Sequence, residues 1–205
     1  MKALLLKDAS ILIRQMKLFF LLIVILSVVP GFSSAGFAIV YAALLPVTAM
    51  SYDERAKWDK LAVMMPFTPK EMVVSKFLLG YLSIAAATLI CFVGQYAVSM
   101  FRSGTMIGAQ LFAELMLVVA VAMVLMSVNL PLMFKLGVEK GRVAFLVLTV
   151  AVVISGVAYC DSFIEQMEKS GNDVIYIATV AFIAAIIISL ISMIFSVRIY
   201  ESKEQ

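Results

Sequence analysis

The 205-residue chain has no histidine, two cysteines, five prolines and one tryptophan, and only 14% of its residues are charged. Each scarcity excludes something. Without imidazole there is no Ser–His or Cys–His nucleophile pair and no His-ligated zinc site. Cys91 and Cys160 both lie in apolar runs, which suits neither a disulfide framework nor a thiolate metal site. The glycines and lysine of 137–141 lack the order of a GxxxxGK[ST] phosphate loop, so any ATP chemistry must sit on another chain. Against these absences stand 64% hydrophobic residues and a mean hydropathy of +1.09. A soluble domain runs near half apolar and about a quarter charged. The composition therefore describes a polytopic, all-α integral membrane protein.

Uncharged stretches run over 18–52, 77–101, 143–160 and 174–197, and 103–134 holds the single charge Glu114. A spanning helix needs about 20 apolar residues to cross about 30 Å of hydrocarbon, so the last four windows each supply one span. The first would make a helix of about 50 Å. It is interrupted at its middle by Pro30-Gly31-Phe32-Ser33-Ser34-Ala35-Gly36, a cluster of turn formers, and divides into two short spans. Sidedness supports the division. With six spans and an inner N-terminus, segments 1–17, 53–76, 135–142 and 198–205 hold 14 Lys and Arg, leaving Arg102 and Lys169 outside. Counting one span instead splits the same residues 6 to 10. Basic residues in short loops stay cytoplasmic. The expectation is one domain over 1–205, with spans near 18–31, 36–51, 72–101, 105–134, 143–160 and 174–197 and both termini cytoplasmic. Four of the 13 acids, Asp161, Glu165, Glu168 and Asp173, gather in the longest outer loop. Residues 18–35 imitate a signal peptide, but 17 residues are long for an n-region and no cleavage is expected.

Two cytoplasmic segments carry pattern. In 3–17, Leu5, Ala9, Leu12 and Met16 share one helical side and Lys7, Ser10, Arg14 and Lys17 another. That fits an interfacial helix on anionic lipid, or a tail that only sets orientation. In 52–71, Asp53 and Lys57 stand four apart, and Trp58, Leu61 and Met65 share a face, which predicts a short amphipathic helix ending before Pro66. Thr68, Pro69 and Glu71 then read as N-cap, first helical residue and first-turn acid of the next span. Such a helix transmits force from a soluble partner, or else anchors in lipid through Trp58.

Asp53-Glu54, Trp58-Asp59, Pro66-Phe67-Thr68, Lys70-Glu71, Val73-Val74 and Lys76 resemble the cytoplasmic signature of bacterial ABC-2 type transporter permeases. The architecture is similar to the small six-span group encoded apart from its ATPase, and within it to permeases of phenol-soluble-modulin-type peptide exporters. Pro69 stands where a basic residue is expected, and the outer loop 161–173 is short for some relatives. The resemblance implies that 52–71 is a coupling helix docking on an ABC ATPase, with Asp53, Glu54, Arg55, Trp58 and Asp59 making the contact. It further implies two ATPase subunits carrying ATP and magnesium, no cofactor on this chain, and a permease homodimer or pseudo-dimer in the bacterial cytoplasmic membrane. The cargo would be amphipathic, antimicrobial or toxin peptides, exported; nucleic acid is not expected as a partner.

Within the spans, Glu114 is the only ionisable residue and a functional candidate for that reason. Gln110 lies one turn earlier, and Gln95 and Arg102 end the preceding span. Contact with cargo or a gate at the outer mouth is one reading; an internal ion pair locking two spans is the other. Met116, Met123, Met126 and Met133 fall on one side of the fourth span, roughly opposite Glu114. They form either an adaptable wall for apolar cargo or ordinary packing. Asn129 and Pro131 mark a kink at which the proline frees a backbone carbonyl. An ATPase-independent secondary transporter or channel is the competing class, but its sites usually sit near mid-membrane and Glu114 does not. An intramembrane enzyme lacks a second acid to pair with Glu114.

Overall fold

The computed structural model describes residues 17–28, 32–58, 68–101, 108–137 and 172–204, most of 140–154, and residues 4, 6–8 and 10. The described elements are helices: α1 (Lys17–Val28), α2 (Phe32–Ala42), α3 (Leu45–Arg55), α4 (Pro69–Phe101), α5 (Gly108–Leu136) and α6 (Asn172–Glu204). Described residues of 140–154 are helical as well; the rest of the expected fifth span lies outside them.

Local chemistry sets the ends. At the start of α4 the Thr68 N–H donates to Glu71 Oε2 and the Glu71 N–H donates to Thr68 Oγ1, each at 3.3 Å. This reciprocal capping box satisfies two orphan donors, and Pro69 opens the helix with the φ it already prefers. The end of α5 is closed by Gly137 at φ 78°, whose N–H donates to the Met133 carbonyl at 3.0 Å. That left-handed cap favours glycine. Between α2 and α3 the backbone turns at Ala43–Leu44, and Pro46 sits in the first turn of α3.

Helix α3 runs to Arg55, four residues past the expected end of the second span, so Asp53, Glu54 and Arg55 form its last turn. The chain then leaves the helix through Ala56 and Lys57, the latter at φ 51°. A continuous amphipathic helix through 53–65 is therefore interrupted here, and Lys57 leaves the face of Asp53. Trp58 follows; 59–67 lie outside the described residues.

Among the described residues, four stretches are long and apolar enough to cross a membrane: Gly36–Arg55, Lys70–Val98, Leu111–Leu136 and Ile175–Ser202. The first combines α2 and α3. Helix α1, at 12 residues, is about 18 Å long. Helices α2 to α5 enclose the core, in which Ile39, Leu45, Val73, Phe77, Met126 and Leu130 are fully buried. Helix α6 packs mainly on α5 and, among its described side chains, buries only small ones, Ala178, Ala185, Ser189 and Ser196. Small residues let two helices approach closely in lipid. Its remaining surface exposes Ile, Leu, Val and Phe on every side, as does a stripe of Val143, Leu146, Val147, Val150 and Ile154. So much contiguous apolar surface suits a membrane-embedded protein rather than a soluble monomer.

Contacts gather several helix ends at one pole. Phe134 near the end of α5 meets Tyr200 near the end of α6 edge-on, 5.7 Å between ring centres. Tyr200 in turn places its hydroxyl 3.5 Å from Met72 Sδ at the start of α4. The end of α3 joins the same region through Asp53.

Candidate functional site

The expected coupling residues do not form one exposed surface. Glu54, Arg55 and Lys57 are exposed and Trp58 is half-buried, but Asp53 is buried. Asp59 lies outside the described residues. The Asp53 carboxylate points into the protein, where it belongs to a closed ring of four charges. Lys76 Nζ, in the second turn of α4, lies 2.5 Å from Asp53 Oδ2 and 2.7 Å from Asp8 Oδ2. Lys7 Nζ lies 2.7 Å from Asp53 Oδ1 and 3.2 Å from Asp8 Oδ1. Each cation thus serves both carboxylates and each carboxylate serves both cations. Lys7 also sits over the Trp58 ring, 3.9 Å from its centre, a cation–π contact.

The ring ties together three segments remote in sequence: the N-terminal segment, the last turn of α3 and the start of α4. It is electrically neutral and largely out of water, the Asp8 side chain being only 1% exposed. Removing one member of a buried ion pair leaves an uncompensated charge at a cost of about 3–5 kcal/mol. The node therefore links the α3 end to the N-terminal segment and to α4 through ion pairs that are costly to break singly.

Lys7, Asp8 and Lys76 were not singled out by sequence reasoning as partners of Asp53. A signal was present: Asp8 is the only acid in residues 1–52, and Lys76 is the last charge before the uncharged run 77–101. The N-terminal segment turns inward through Leu4 and Asp8, both buried, while Leu6 is 71% exposed. The side chains of Leu5, Ala9, Leu12 and Met16, expected to form the apolar face, lie outside the described residues.

At the other end of α4 and α5, Gln95 and Glu114 are both half-buried. Arg102 and the Gln110 side chain lie outside the described residues. Met123, Met126 and Met133 are buried, and Met116 packs beside Ala113 and Ala178. A Cβ added at Gly80 would come 2.2 Å from Met126 Sδ, and one at Gly141 would come 2.4 Å from Met133 Sδ. The thioethers of Met126 and Met133 thus fill the space that these two glycines leave, as packing between helices does.

Helices suited to a bilayer, with a buried ionic node joining three chain segments at one pole, define a polytopic membrane protein. The family follows from comparison over nearly the whole chain. Residues 3–201 match the model of the ABC-2 family transporter proteins, and the chain belongs to that family. No curated protein and no solved structure matches it. Membership makes the chain a transport permease of an ABC transporter, not itself catalytic, and permeases of this family generally pair with an ABC ATPase.

Proposed function

We propose that the chain is the transmembrane subunit of an ATP-driven exporter that moves amphipathic peptides out of a bacterial cell. Two permease chains would form the passage and two ATPase subunits would bind ATP and magnesium. The chain would cross the cytoplasmic membrane six times, with α1 and segment 143–160 completing the count and the N-terminal segment lying at the inner surface. Among the described cations, Arg55, Lys57, Lys70, Lys76 and Lys135 sit near helix ends at the charged pole. Their placement supports a cytoplasmic position for that pole.

The observation that carries the reading is the four-charge ring. A permease that borrows its energy needs a stiff connection between the surface an ATPase pushes and the helices that move. Glu54, Arg55, Trp58 and Asp59 are assigned the contact with the ATPase, and Asp53 the task of holding that surface from within. Gln95 and Glu114 would face the outer mouth of the passage. Peptide cargo rests on the likeness of the 53–76 signature to permeases of peptide exporters.

The test is to purify the chain with its ATPase and reverse the exposed pair, E54R together with R55E, which conserves net charge. The expected result is at least a tenfold loss of permease-stimulated ATP hydrolysis, with the helicity and melting midpoint of the permease unchanged. Full stimulation in the reversed pair would sink the coupling assignment.

A further inference from the structure

Two prolines lie in the helices that carry the core, Pro131 inside α5 and Pro46 in the first turn of α3 just after the Ala43–Leu44 turn, and each lacks a backbone N–H. Proline has no N–H to give the carbonyl four residues earlier. For Pro46 that carbonyl belongs to Ala42, the last residue of α2. For Pro131, inside α5, it belongs to Ser127. In both cases a serine hydroxyl from a different helix takes the place of the missing donor. Ser83 of α4 donates to the Ala42 carbonyl at 3.0 Å, and Ser192 of α6 donates to the Ser127 carbonyl. A neighbouring helix restoring a bond that proline removed is a known way for a membrane helix to tolerate proline. Here it occurs twice.

The two sites share one contact point. A Cβ at Gly80, one turn before Ser83, would come 2.9 Å from Pro46 Cγ and 2.2 Å from Met126 Sδ. Met126 immediately precedes Ser127. The α4 backbone at Gly80 is thus packed directly against one side chain from each proline-bearing helix, Met126 of α5 and Pro46 of α3. Pro46 lies two turns from Asp53 on α3, and Pro131 one turn from the end of α5, whose Phe134 meets Tyr200 of α6.

The bond at Ala42 is built to exchange. Ser83 Oγ lies 2.8 Å from its own helix's Gly80 carbonyl as well as 3.0 Å from Ala42, and a hydroxyl has one proton to donate. When the α2–α3 joint opens, the proton falls back to Gly80 and Ser83 stays satisfied. Around the second site, Asn129 is buried with its Oδ1 unpartnered, so this turn of α5 holds a polar group still able to accept a bond.

We infer that Pro46 and Pro131 are hinges and that Ser83 and Ser192 are the detachable clasps that hold them, joined through Gly80. Displacement of the ring-bearing end of α3 passes through the first hinge to α4, and from α4 through the second hinge to α5 and α6. The transmission role rests on the proposed coupling function; the clasp pairing does not.

The experiment is a pair of double-mutant cycles on the full chain purified with its ATPase, read by melting midpoint and by ATP-driven peptide transport. S192A should lower the midpoint by about 2–4 °C, the size of one hydrogen bond in a chain of this length. S192T, which keeps the hydroxyl, should not. In the P131A background, where alanine supplies the N–H, S192A should produce no further shift. The same holds for S83A in the P46A background, while the crossed pair, P46A with S192A, should be additive. Equal shifts from each serine with and without its own proline would overturn the clasps. Should the cycles hold while P46A and P131A transport at the parent rate, the hinges are overturned and the clasps are only structural. A parent complex without ATP-driven transport would refute the proposed function and leave the melting cycles to decide the clasps.

Discussion

Replacing Lys76 with methionine removes the cation that lies 2.5 Å from Asp53 and 2.7 Å from Asp8, while preserving most of the side-chain volume. Two buried carboxylates are then left to one ammonium. Breaking a buried pair costs about 3–5 kcal/mol. Lys7 remains 2.7 Å from Asp53 and 3.2 Å from Asp8, so the lower end applies. At roughly 2–4 °C per kcal/mol for a chain of this length, K76M should lower the melting midpoint by about 6–12 °C. Adding D8N removes the unmatched carboxylate, restores a one-to-one pair of Lys7 with Asp53, and should recover at least half of that loss. An exposed cation is the control: Lys70 approaches Glu201 only to 3.9 Å at the surface, and K70M should leave the midpoint within a degree or two. The assay contains its own local probe. Trp58 is the only tryptophan and lies against Lys7, so its emission should shift to the red in K76M as the N-terminal segment undocks, and shift back in K76M/D8N. A K76M midpoint equal to the parent's, or a double variant no better than K76M, would refute the ring as a structural node.

Two smaller perturbations probe the elements that hold the node in place. T68A removes one arm of the capping box and should destabilise the start of α4 by about 0.5–2 kcal/mol, read as faster amide exchange in Lys70–Met72; T68S should behave as the parent. G80A introduces a Cβ against Pro46 and Met126 and should cost about 1–3 kcal/mol through overpacking, seen as a lower melting midpoint. M126A should cost less in the G80A background than alone.

What could be read from the sequence was local. Thr68, Pro69 and Glu71 announce a helix start because all three act within one turn. The Pro131 gap follows from a missing N–H, and the four long apolar stretches among the described residues follow from the length of the apolar runs. What could not be read was the pairing of distant residues. Asp53 stands beside Lys57 at helical spacing, and spacing alone suggests that pair. The structure instead breaks the helix at Lys57 and turns Asp53 toward Lys76, 23 positions away, and Lys7, 46 away. Nothing local distinguishes a carboxylate that meets a partner protein from one that meets its own chain. The methionines were ambiguous for a similar reason: their face is legible, but whether Gly80 and Gly141 lie opposite depends on how α4, α5 and segment 140–154 pack. The serine clasps are likewise invisible in sequence, because Ser83 and Ser192 are 41 and 65 positions from the carbonyls they serve.

The central claim is that the chain is moved by a partner that hydrolyses ATP and pushes on the end of α3. Its most direct test is uptake of a fluorescent amphipathic peptide into inside-out vesicles holding the permease and its ATPase. The expected result is peptide accumulation that requires ATP and is lost in E54R/R55E, while the melting midpoint of the permease remains that of the parent. Accumulation or ion conductance by the permease alone, without ATP and indifferent to that reversal, would contradict it.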